Sequence, residues 1–135
     1  MVRGAVRSTA RRHLRAFPLW LALGWALVGA VVWLSLTPSP PQVALPQADK
    51  AGHFGMYLGL SLWFAQLYRR PWHARWAAGF AALGLALELA QGLTATRSPE
   101  LLDAAANAAG AAAGWALAGT PAGRWLERLE RRLLA

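Results

Sequence analysis

The stretch FPLWLALGWALVGAVVWLSL, Phe17 to Leu36, is twenty residues without a charge. At 1.5 Å rise per residue a helix of that length covers roughly 30 Å, the thickness of a bilayer core. Trp20 and Trp33 stand near its two ends, where interfacial aromatic belts lie. Pro18 falls in the first turn, where a helix tolerates proline. The run exceeds the roughly 7–15 apolar residues of a secretory signal core, so it reads as a retained membrane span.

The rest of the chain fits a membrane setting. Hydrophobic residues make up 56% and charged residues 15%, against about 25% charged in soluble domains. The charges gather in short segments between long uncharged runs. Mean hydropathy is +0.29, held down by two arginine-rich ends and many alanines. There is no cysteine, so disulfide and thiolate chemistry are excluded. A net charge of +8 could suit nucleic acid. The arginines instead flank apolar runs, so no nucleic-acid partner is expected.

Residues 1–16 hold Arg3, Arg7, Arg11, Arg12 and Arg15 with no acid, and read as a basic cytoplasmic tail. Thr37 to Ala48 contains Pro38, Pro40, Pro41 and Pro46, an extended link. Three more spans follow at about 50–68, 76–93 and 99–119, giving an all-α, four-helix integral membrane bundle over 17–119. Gly55 and Gly59 form one GxxxG pair and Gly110 and Gly114 another, each allowing a neighbouring helix to approach closely. Arg69 to Trp76 forms a basic turn with His73 at the headgroups. Ser98, Pro99 and Glu100 read as N-cap, N1 proline and first-turn acid. Residues 120–135 form an amphipathic tail, with Trp125, Leu126, Leu129 and Leu133 on the face expected to lie on the membrane.

Four spans put both termini on one side. Twelve of the fourteen basic residues lie in the two tails and the middle turn, so that side is cytoplasmic. The remaining two, Lys50 and Arg97, lie on the other side, and a set of polar residues lies there with them. Asp49, His53 and Tyr57 recur every four residues, so a helix lines them on one face. His53 then sits roughly 6 Å and Tyr57 roughly 12 Å below Asp49. Glu88 and Gln91 arrive at that depth on the third span, and Asp103 and Asn107 on the fourth. The cytoplasmic halves carry almost nothing polar. A carboxylate inside an apolar run is costly unless paired, protonated or in a wet cavity, so this layer is the candidate site.

At these residues the sequence resembles the VanZ-like family of small bacterial membrane proteins. The resemblance rests on Asp49-Lys50-x-x-His53-x-x-x-Tyr57, Glu88-x-x-Gln91, Arg97 and Asp103-x-x-x-Asn107-x-x-Gly110, with Ser35-Leu36-x-Pro38 before them. It covers roughly residues 35–118 and leaves out both tails. It implies a multi-span protein of the bacterial plasma membrane and cell envelope. The family takes its name from a teicoplanin-resistance protein, and membership does not imply that this chain confers resistance.

Several roles suit the polar layer. In the first, it binds or modifies a lipid-linked anionic group in the outer leaflet, such as a polyprenyl phosphate or a phospholipid headgroup. Lys50 and Arg97 would hold the phosphate. His53 would move a proton, with Asp49, Glu88 or Asp103 orienting it, and Tyr57, Gln91 and Asn107 would supply hydrogen bonds. The spacing leaves open whether chemistry follows binding. In the second, the same groups bind a lipid, a glycopeptide or a partner protein without chemistry. In the third, pairs such as Asp49–Lys50, His53–Glu88 and Arg97–Asp103 lock the bundle. A metal site on His53 and the carboxylates is disfavoured, because the layer has no second histidine and contains two cations. No cofactor is expected.

Overall fold

The computed structural model describes residues 10–38, 44, 48–94 and 98–135. Residues 1–9 of the basic tail, most of the proline link and Arg97 lie outside the described residues.

The fold is all-α. Its helices are α1 (Phe17–Leu36), α2 (Ala48–Leu67), α3 (His73–Gln91), α4 (Leu101–Ala118) and α5 (Trp125–Leu133). Short 3-10 turns, Arg70–Trp72 and Pro121–Arg124, precede α3 and α5. Among the described residues one helix, α1, is long and apolar enough to cross a membrane, with a hydropathy of 2.0 and 17% of it buried. The other three long helices, of 20, 19 and 18 residues, are less apolar because they carry the polar layer and, in α4, many alanines.

α4 packs most closely on α2, and glycine is the reason. A Cβ on Gly110 would collide with the Phe54 carbonyl, and one on Gly114 would lie 2.5 Å from the Leu58 oxygen. This GxxxG pair therefore lets two backbones touch, as its spacing suggests. The other pair does not: added Cβ atoms on Gly55 and Gly59 would meet open space. Beneath the contact, Phe64 of α2 anchors an aromatic core, its ring 4.5 Å from Trp76 and 5.2 Å from Phe80.

Residues 10–16 and the C-terminal helix α5 pack back onto the bundle. The last carbonyls of a helix lack intrahelical donors, and at the end of α2 the N-terminal segment supplies them. Arg12 donates its backbone N–H to Leu67 O at 2.9 Å and its Nε to Tyr68 O at 3.0 Å, while Arg69 N–H donates to Ala10 O at 2.9 Å. Residues 10–16, read from sequence as part of a tail, are thus docked, and Leu14 and Phe17 enter the core. From the other terminus, Glu130 of α5 reaches the start of α1. Its carboxylate accepts from Arg15 N–H at 2.7 Å, Ala16 N–H at 2.9 Å and the Trp20 indole at 2.6 Å. An anion there complements the helix dipole. Burial pushes the Glu130 carboxyl up, but these hydrogen bonds and the Arg15 charge outweigh it and hold it below its ordinary value.

Three expectations change. α5 is amphipathic, but Leu126 is fully buried in the protein core while Leu133 stays 69% exposed, so part of its apolar face serves the bundle. His73 is not at the surface: it is 3% exposed and its Nε2 lies 2.9 Å from Tyr68 O, the carbonyl that Arg12 Nε also meets. With Gln66 and Glu130 it makes the arginine-rich end polar inside, which the spans alone did not suggest. α4 begins at Leu101, later than the Ser98 cap implied. Glu100 holds the N-cap position in extended backbone, and its side chain makes no cap bond because it is drawn to Lys50.

Candidate functional site

The first two turns of α2 place Asp49, Lys50 and His53 beside the first two turns of α4. The Gly110 contact sets that spacing, and Gly84 of α3 completes it. A Cβ on Gly84 would lie 2.8 Å from Asn107 Cβ and 3.0 Å from Tyr57 Cε1, so only a glycine lets α3 close over this layer.

Lys50 is the charge centre. Its ammonium lies 2.7 Å from Asp103 Oδ1, 2.7 Å from Glu100 Oε2 and 3.9 Å from Asp49 Oδ2. The two close partners differ. The Asp103 side chain is 10% exposed and fixed between helices, whereas that of Glu100 is 54% exposed.

His53 lies one turn further in. Its Nδ1 is 2.8 Å from Asn107 Oδ1. With the amide oxygen facing the ring, Nδ1–H donates and Nε2 is left to face Asp49 Oδ1 and Asp103 Oδ2, both at 3.8 Å. That separation is too long for a direct hydrogen bond and leaves room for a bridging group. A neutral ring presents a lone pair to two acceptors, and a protonated ring is held by two carboxylates. Nε2 is thus the ring atom turned toward the two acids. The ligand atoms of Asp49, His53 and Asp103 also lie within 4.8 Å of one another, close enough for a divalent cation. The Lys50 ammonium on Asp103 opposes one.

The other polar residues of the layer are distributed around this centre. Glu88 is not hydrogen-bonded to His53. Its Oε1 accepts the Glu100 backbone N–H at 2.6 Å and so ties the end of α3 to the start of α4. Gln91 Nε2 donates to Ser35 O at 2.6 Å and joins α3 to α1. The Tyr57 hydroxyl is buried without a hydrogen-bond partner among the described residues, a state that costs about 1–3 kcal/mol unless another group satisfies it.

Of the residues expected at the site, Asp49, Lys50, His53, Asp103 and Asn107 form one connected cluster. Tyr57, Glu88 and Gln91 lie in the same layer, and Arg97 is outside the described residues. Glu100 is the member that sequence reasoning placed elsewhere, as a first-turn acid. It stands outside the helical period, so no spacing pointed at Lys50. Comparison of the chain with protein-family models, with curated proteins and with solved structures found no match.

Proposed function

We propose that the chain is a four-span, VanZ-like protein of the bacterial plasma membrane with both termini cytoplasmic. Its polar layer binds the phosphate-bearing headgroup of an envelope lipid in the outer leaflet. The membrane reading draws support from side chains on all four long helices. Leu19, Leu23 and Leu27 of α1, Phe54 of α2, Leu85 and Leu89 of α3, and Trp115 and Leu117 of α4 are all exposed. Apolar surface spread so widely suits lipid better than water.

The observation that carries the headgroup reading is the shared hold on Lys50. One carboxylate is fixed and the other is half in solvent at the same distance. Glu100 is the replaceable partner, standing where an anionic headgroup would meet the ammonium. His53 Nε2 would then lie beside the bound group, positioned to give or take a proton. The test uses the full-length protein in nanodiscs carrying undecaprenyl phosphate. Glu100→Gln removes the competitor and should strengthen retention of that lipid about threefold or more, while Lys50→Gln should reduce it about tenfold. Weaker retention in Glu100→Gln, or none lost in Lys50→Gln, would refute the reading.

A second reading has its own support. Lys50–Asp103 and His53–Asn107 are interhelical bonds of the kind that lock a bundle. Under that reading Lys50→Gln lowers thermal stability and leaves lipid retention as in the parent.

A further inference from the structure

The far end of the bundle holds a cavity of about 480 Å³, which includes no residue of the polar layer. Arg12, His13, Arg69, Arg70, His73 and Arg124 line it. They come from the docked N-terminal segment, the turn between α2 and α3, the first residue of α3, and the turn before α5. The one carboxylate in the lining, Glu127, is already shared between Arg12 Nη1 at 3.4 Å and Arg124 Nε at 3.0 Å. Among the described residues, the Arg69 and Arg70 guanidinium groups meet no carboxylate. Other arginines nearby are occupied differently: Arg11 sits over the Phe17 ring and Arg75 over the Trp72 ring.

Four guanidinium groups against one carboxylate leave an excess of three positive charges before either histidine is counted. The wall is fixed as well as charged. Arg12 is held by the Leu67 and Tyr68 carbonyls, and His73 is buried against Tyr68 O. Arg69 and Arg70 stand exposed at the mouth. Planar guanidinium forks in such a group match the oxygens of a phosphate, two at a time.

We propose that this cavity binds a phosphate group with net negative charge, carried either by an anionic phospholipid headgroup or by a soluble phosphate. It is a site separate from the Lys50 layer and goes beyond the function proposed there. A helix length of fourteen residues, about 21 Å, separates His53 from the end of α2 at Leu67.

The test follows thermal unfolding of the full-length protein at constant ionic strength. One arm adds pyrophosphate to the protein in neutral detergent. The other compares nanodiscs of phosphatidylcholine with nanodiscs that also contain phosphatidylglycerol. Protection is expected in at least one arm. The double variant Arg69→Gln/Arg70→Gln should weaken it about tenfold or more in apparent affinity. Arg131→Gln/Arg132→Gln removes the same charge from outside the cavity and should change it about threefold or less. Should the first double variant fail to fold, Arg70→Gln alone takes its place. Protection by pyrophosphate only identifies a soluble ligand, protection by phosphatidylglycerol only a headgroup, and protection by both recognition of the phosphate itself. Protection in neither arm overturns the proposal. Equal losses in the two double variants also overturn it, since a diffuse positive field would then explain the binding. Lys50→Gln leaves this protection intact, which separates its outcome from that of the Lys50 site.

Discussion

At the start of α2 a single ammonium meets three carboxylates, those of Asp49, Glu100 and Asp103. Beyond the end of the same helix four arginines and, among the described residues, one carboxylate line a cavity, and that carboxylate, Glu127, pairs with Arg12 and Arg124. The first end is assembled by backbone contact: α4 lies on α2 through Gly110 and Gly114, and the polar side chains meet as a result. The second is assembled by residues 10–16 and α5, which fold back and cap helices through Arg12 and Glu130. One end is an interhelical cluster in which carboxylates outnumber the ammonium among the described residues, and the other a basic hollow with positive charge to spare. Positive residues concentrated at one end are what the positive-inside rule asks of a membrane bundle. The difference teaches that two polar ends of one bundle can depend on separate parts of the sequence, and can therefore be broken separately.

The largest expected effect is at the glycine contact. Gly110→Ala drives a methyl into the Phe54 carbonyl and should destabilise the protein by about 3 kcal/mol or more. Gly55→Ala, with open space around it, should be neutral or slightly stabilising, by about 0.5–1 kcal/mol. Thermal unfolding of the two variants reads this directly, and similar losses would remove the account of the α2–α4 contact.

Glu130→Ala comes next, now at the basic end. It strands the Arg15 and Ala16 N–H groups and the Trp20 indole, at a cost of about 2–3 kcal/mol. The sign of its pH dependence follows from the depressed carboxyl. The stabilisation is present above the ordinary carboxylate range and is lost as pH falls through the lower, folded-state value. Melting temperature measured from neutral to acid pH should therefore fall less steeply in Glu130→Gln than in the parent.

At the cluster end, Asn107→Ala leaves His53 Nδ1 buried without its partner and should cost about 1–2 kcal/mol. The smallest effect should come from Glu100→Gln. It breaks a half-exposed ion pair and should change stability by about 1 kcal/mol or less. If Glu100→Gln proved more damaging than Glu130→Ala, the contrast between a replaceable and a structural carboxylate would be wrong.

Much of this fold is written in hydropathy and small residues. The bounds of α1 coincide with the uncharged run because Pro18 starts the helix and the chain turns extended at Thr37. α2, α3 and α4 lie within a few residues of the spacing expected for them. The cluster was legible for the same reason: Asp49, His53 and Tyr57, like Asp103 and Asn107, repeat at four residues, so local periodicity placed them. What was not legible depends on contacts between distant segments. Nothing near His73 signals that Arg12 will meet the same Tyr68 carbonyl. Nothing near Glu130 signals three donors more than a hundred residues away. The two GxxxG pairs look alike as sequence, and only packing tells which one touches a neighbour.

The measurement that tests the account most directly asks whether the two ends lie on opposite sides of a membrane. The chain has no cysteine, so single substitutions report cleanly. Ala51→Cys, exposed beside the Lys50 cluster, and Ala135→Cys, at the end of the tail, would be treated in intact cells with a membrane-impermeant maleimide. The account predicts labelling of Ala51→Cys from outside and labelling of Ala135→Cys only after lysis. Labelling of Ala135→Cys in intact cells, or of both positions only after lysis, would contradict it.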